Sequence, residues 1–195
     1  AVNLHDEKKD EFSLLQIKPM TINSFNRSII EKDISNDLLF CKSDIVLGEG
    51  LIDNIVHVVY VDIDKFDISQ SKIIAYQIEE INKYLGSDNP YLLIGPGRWG
   101  SSDEWLGIPT SWEQINNAKI ILELGIEGLE PDPSFGSHFF QNLTSLHLGY
   151  FTFNKKQTNQ DINWDILKNS TTEKSTEYVK LLKMELALKC IIDGT

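Results

Sequence analysis

IVHVVYVDIDKFDISQSKIIAYQIEEINKYLGSDNPYLLIGPG, Ile55 to Gly97, carries the change of period that decides the fold. Its opening, Ile55 to Val61, is dense in β-branched residues and reads as a buried strand fed by a glycine turn at GEG, 48–50. From Asp67 onward the period becomes helical: Ile74, Ile78, Ile81 and Leu85 share one face, Asp67 or Ser69 can cap the start, and Gly86 stops the helix. YLLI then returns the chain to a strand.

Downstream, SWEQINNA reads as a short helix begun by Ser111, AKIILEL as a strand and GIEGLEPDPSFGS as a turn-rich loop. HFFQNLTSL follows as a helix and GYFTF as a strand. Residues 154–177 are polar, with Trp164, Ile166 and Leu167 as their only anchors, and read mostly as loop. Leu182, Met184, Leu186, Leu188, Cys190 and Ile192 alternate with mostly polar neighbours, the period of a strand with one buried face. Upstream, AVNLHDEKKD reads as a frayed end or linker, and EFSLLQIKPM as a short strand stopped at Pro19. Strands interleaved with helices predict an α/β fold: a mixed sheet with flanking helices in a single main domain.

At 195 residues the chain is long enough for one full core, and 41% hydrophobic content argues against disorder along its length. The net charge of −11 works against polyanion binding, because the 18 basic residues are scattered rather than clustered. Nucleic acid and anionic membrane are therefore set aside as partners. No apolar run is long enough for a membrane span, and the start lacks the pattern of a signal peptide. Cys41 and Cys190 lie far apart in apolar settings and read as two buried thiols, which fits a reducing, cytoplasmic location.

The richest motif is LLIGPGRWGSSDEWLGIP, Leu92 to Pro109. Gly95, Gly97 and Gly100 make G-x-G-x-x-G after a strand, and Glu123 closes the next strand, as a dinucleotide fingerprint asks. That fingerprint needs a helix after its third glycine, and Gly107 with Pro109 forbids a long one. A phosphate-binding P-loop fails differently: Ser101 stands where its lysine belongs, and Pro96 removes an amide donor. Two readings stay open. Arg98, with Ser101, Ser102 and Asp103, can bind a phosphate or carboxylate that the glycines allow to approach closely. Alternatively, Trp99, Trp105 and Trp112 floor a sharp turn, with Arg98 stacked on an indole.

His138 follows a glycine turn at the start of the HFFQNLTSL helix, where it can exchange a proton or carry a phosphoryl group, or simply pack beside Phe139 and Phe140. The carboxylate pairs Asp62 with Asp64 and Glu130 with Asp132 have a spacing that can hold Mg²⁺, although charges bounding a strand are usually solvated. His57 reads as a core or interface residue. No zinc-ligand constellation is present, and no metal residue is assigned.

GPGRWGSSDEWLGIP, GSHFFQNLTSLHLGYFTF and FSLLQIKPM together resemble the region that follows the ATP-binding domain in bacterial proteins related to phosphoenolpyruvate synthase and pyruvate phosphate dikinase. The resemblance runs from about residue 12 to the end. It implies that residues 1–20 are the tail of an upstream ATP-grasp-like domain and 21–195 a C-terminal α/β module. On that implication Gln16 matches a nucleotide-contacting glutamine, and Lys18 replaces an arginine, keeping charge without the bidentate fork. ATP and Mg²⁺ are implied only through the upstream domain, which is the expected partner. The implied role is support of ATP-dependent phosphoryl transfer, by a fragment not active alone. His138 is then a candidate phosphate carrier, although GSHFF lacks the double glycine and small residues of the family's carrier turn. A non-catalytic interaction domain is the competing reading.

Overall fold

A computed structural model of the chain describes residues 2–3, 11–12, 39–43, 45–47, 49–101, 103–131, 148–154 and 161–193. In chain order these form β1 (Val2–Asn3), β2 (Glu11–Phe12), β3 (Cys41–Lys42), β4 (Val46–Leu47) and β5 (Glu49–Val61). A 3-10 turn (Ile68–Gln70) leads into α1 (Ser71–Leu85), followed by β6 (Tyr91–Pro96), β7 (Arg98–Trp99), β8 (Gly107–Ile108), α2 (Trp112–Ile115) and β9 (Ala118–Leu124). β10 (Gly149–Phe153), β11 (Asp161–Ile162), α3 (Trp164–Lys168), β12 (Thr171–Ser175) and β13 (Val179–Asp193) complete the described chain.

The fold is α/β, built on a mixed seven-stranded sheet in the order β12-β13-β5-β6-β9-β10-β4. β5, β6, β9 and β10 are parallel; β13 and β12 add antiparallel strands on one side and β4 on the other. Both faces are covered, so the central strands are apolar without alternation, and every residue of β6 is buried. One face packs Val59, Ile74, Ile78, Ile81, Leu93, Trp99, Ile108, Ile115 and Ile121 into a single core under α1 and α2. The other gathers Phe40, Val58, Leu92, Ile94, Leu122, Phe151, Phe153 and Leu167.

α1 forms where the helical period predicts it. Asp67 caps the preceding 3-10 turn by accepting from the Ser69 amide at 2.9 Å, and Gly86, at φ 67°, donates its amide to the Asn82 carbonyl at 3.1 Å. Ser111 and Gln114 close a reciprocal capping box around α2. The two helices are tied by Asn82, which is 3% exposed. Its amide group donates to Asn116 Oδ1 at 3.0 Å, while its Oδ1 accepts from the Tyr91 hydroxyl at 2.9 Å and the Asn117 amide at 3.2 Å. Replacing Asn82 with alanine strands the Tyr91 hydroxyl in the core and should cost roughly 2 kcal/mol. Urea denaturation of N82A beside N82A/Y91F checks this, because removing the stranded hydroxyl should return part of the loss.

Three sequence expectations change. Residues 161–175 are not mostly loop: Asn163 caps α3 through the Asp165 amide, Leu167 is buried, and β12 pairs with β13 as an edge strand. The opening is not frayed throughout, since β1 pairs with β2. β13 keeps the expected face over most of its length, with Leu182, Met184, Leu188, Cys190 and Ile192 toward one core, and departs from it at its start and at Leu186. Val179 and Leu181 face one core while Leu182, Met184 and Ile192 face the other, and Leu186 is 74% exposed. The register of β13 against β5 shifts between Lys183 and Leu188 and again between Leu188 and Cys190, where Asn54, at φ 61°, lies in the facing stretch of β5.

Candidate active site: the Arg98 loop and Glu123

β6 delivers Gly95 and Pro96 to the carboxyl end of the parallel strands, the edge at which open α/β sheets bind ligands. There the chain folds back tightly. A Cβ on Gly95 would stand 2.6 Å from the Trp99 ring, and one on Gly97 would stand 2.8 Å from the Gly107 Cα. Gly97 and Gly100, at φ 70° and 68°, turn the chain on either side of β7, which pairs with β8. The close approach that these glycines permit is therefore approach by Trp99 and by the chain itself.

The loop's amides are committed in the same way. Gly97 donates to the Leu124 carbonyl at 2.9 Å, Arg98 to Leu106 at 3.0 Å, and Gly100 to Ile108 at 3.0 Å. The Trp99 amide donates to Glu123 Oε1 at 2.9 Å. Ser101 Oγ accepts from the Asp103 amide at 3.2 Å, and Asp103 Oδ1 from the Trp105 amide at 3.0 Å, so both side chains shape the turn. An anion at this loop would be held by side chains, Arg98 above all. Gln16, Lys18, Ser102 and His138 lie outside the described residues. The three tryptophans also separate: Trp99 is buried in the core, Trp112 packs against it, and Trp105 is 63% exposed.

Glu123 is the chemically distinctive group. The strand registers set Gly95, Glu123 and Thr152 side by side, on the sheet face that Trp99 covers. The carboxyl is 1% exposed, and its Oε2 has no hydrogen-bond partner among the described residues. Burial pushes its pKa up to about 7, against the pull of the Tyr150 hydroxyl, the Trp99 amide and the Arg98 charge. The Tyr150 hydroxyl is near enough to favour the carboxylate yet does not close a well-formed bond to Oε2. Burial, and then the neighbouring Glu123, drives the Tyr150 pKa well above its usual value, so the phenol stays a donor. Arg98 is half-buried and close enough for its charge to act on both. The cluster therefore combines a fixed cation, a phenol and a carboxyl that changes charge near neutrality, a combination typical of functional sites.

Glu123 was locatable in the sequence as the one acid at the end of the apolar run AKIILEL. Tyr150 carried no such signal, because β10 brings it beside β9 only through long-range pairing.

Of the remaining candidates, Asp62 and His57 have charged partners, and Asp132 lies outside the described residues. Asp62 is buried and pairs with Lys180 at 2.8 Å. His57 is 6% exposed and faces Glu173 at 3.5 Å. Cys41 and Cys190 are free thiols, and burial raises each to about 12. Among the described residues no helix is long and apolar enough to cross a membrane. Comparison of the chain with protein-family models, with curated proteins and with solved structures finds no match.

Proposed function

We propose that the chain is the C-terminal module of a cytoplasmic phosphoenolpyruvate synthase-like protein, and that it supports ATP-dependent phosphoryl transfer by holding a small oxyanion at Arg98. The observation that carries this reading is the meeting of Arg98, Tyr150 and Glu123 beside the carboxyl ends of β6 and β9. A guanidinium and a neutral phenol are suited to a carboxylate or phosphate, and phosphoryl transfer depends on such charge neutralisation and positioning. The loop does not fit ATP itself, since the amides that would cradle a triphosphate are spent on Leu124, Leu106 and Ile108. ATP and Mg²⁺ belong, on this reading, to the upstream domain.

Titration calorimetry with phosphoenolpyruvate, pyruvate and sulfate tests the proposal. Arg98→Ala should weaken binding by tenfold or more, about 1.5 to 3 kcal/mol for a charged hydrogen bond, while circular dichroism shows the fold intact. Unchanged affinity would remove Arg98 from the site. A second reading is favoured by Trp105 and Leu106, which are 63% and 43% exposed side by side on the same loop. They suit docking of the module on its ATP-binding domain without any ligand of its own. If no anion binds and W105A weakens that domain contact, the interaction reading prevails.

A further inference from the structure

The buried Glu123 carboxyl is more than that reading requires. An anion held by Arg98 needs no acid beneath it, and a carboxylate there would repel it. Yet Glu123 stands beside Arg98 and Tyr150 with Oε1 tied to the Trp99 amide and Oε2 sealed from water.

We propose that the site takes up an oxyanion and a proton together, the anion on Arg98 and the proton, drawn from solvent, on Oε2 of Glu123. This rests on the assignment of Arg98 as the anion ligand.

Among the described residues, the charged and titratable groups facing Glu123 are few. Tyr150, from β10, stays neutral through the physiological range, and Arg98, from β7, stays cationic. Thr152 and the Trp99 amide are polar and do not titrate. Of these described groups, only Glu123 changes charge near pH 7. Bringing a like charge near a carboxylate in a dry site raises its affinity for a proton further. By linkage, protonated Glu123 then favours the anion. Affinity should be constant at acid pH, fall as pH rises through about 7, and level off once the bound form has also lost its proton. The consequence is a site that discriminates by pH as well as by shape, while Arg98 keeps its charge throughout.

Sulfate is the probe, because its charge does not change between pH 5.5 and 8.5. Calorimetric titration of the wild-type chain should show affinity about tenfold weaker at pH 8.5 than at pH 6, the effect of a rise of about one pKa unit on binding. Near pH 7.5 the observed heat should differ between buffers of high and low ionisation enthalpy in the sense of proton uptake. Glu123→Gln should bind sulfate with an affinity that no longer depends on pH. Should that variant misfold, carbon-13 NMR of the wild-type Glu123 carboxyl replaces it, and the titration midpoint should move upward when sulfate is added. Binding that is lost in Arg98→Ala yet independent of pH and buffer overturns the proton coupling and leaves the anion site standing. Absence of sulfate binding at pH 6, or binding unaffected by Arg98→Ala, overturns the anion site and the coupling with it.

Discussion

Valine in place of Gly107 will disrupt the loop that carries Arg98 and cost the protein roughly 4 kcal/mol or more, at the severe end for single substitutions. The reason is contact with backbone. A Cβ at Gly107 would lie 2.1 Å from the Arg98 carbonyl oxygen and 2.3 Å from its amide nitrogen, and neither can rotate away. β7 and β8 would have to part, breaking the bonds from Arg98 to Leu106 and from Gly100 to Ile108. Ile108, fully buried in the core beneath α1, would be pulled outward with them. Urea unfolding gives the loss directly, and the near-ultraviolet signal of buried Trp99 should collapse in the same variant. Gly128→Ala is the control: φ is +79° there, but a Cβ meets nothing within 4 Å, so only the backbone penalty of about 1 kcal/mol applies. If the two substitutions prove equally mild, the tight β7–β8 approach is wrong.

Glu123 will make the fold less stable as pH rises from about 4.5 to about 7. In the unfolded chain the carboxyl ionises near 4.5; in the fold burial holds the proton to about 7. Between those values the native state binds more protons than the unfolded state, so the contribution is full below 4.5, falls across the interval and is flat above it. Its size is roughly 3 kcal/mol by linkage. Asp67, Glu79 and Glu113 are shifted the other way, Asp67 by Ser69, Glu79 chiefly by Lys83, and Glu113 by its own amide and Ser111. Their contributions are lost only as pH falls below the ordinary carboxylate range, outside the Glu123 window. Denaturant midpoints of the wild type and Glu123→Gln at pH 5, 6, 7 and 8 isolate the effect, since the general relief of negative charge at low pH is common to both. Parallel curves would show that Glu123 ionises freely in the fold.

The elements legible in the sequence are those whose signal is local. Ile74, Ile78, Ile81 and Leu85 sit on the buried face of α1, and Ser111 with Gln114 opens α2. β6, β9 and β10 occupy YLLI, AKIILEL and GYFTF because a strand covered on both faces must be apolar throughout. β12 carries no such signal, for the opposite reason. TTEKS is mostly exposed at the sheet edge, where charged residues also discourage pairing with another chain. In the loop, Pro96 and the missing lysine were enough to exclude a P-loop. That its amides would serve Leu124, Leu106 and Ile108 instead depends on contacts no spacing encodes. Glu123 was visible as an isolated acid, but its charge state is set by burial, against the pull of Tyr150, Trp99 and Arg98, and only the folded chain brings these together.

β13 lies inside the sheet, between β12 and β5, although it is the last strand described in chain order. During synthesis β5, α1, β6 and β9 can assemble while one long flank of β5 still waits for its neighbour. Until residues through Asp193 clear the ribosome, that flank presents Val58, Val59 and Val61 beside unpaired backbone, a template for pairing with nascent copies of the same chain. Truncation within β13 would thus yield a sticky half-sheet rather than a shorter version of the domain, and protection of β5 until release is a natural task for a chaperone.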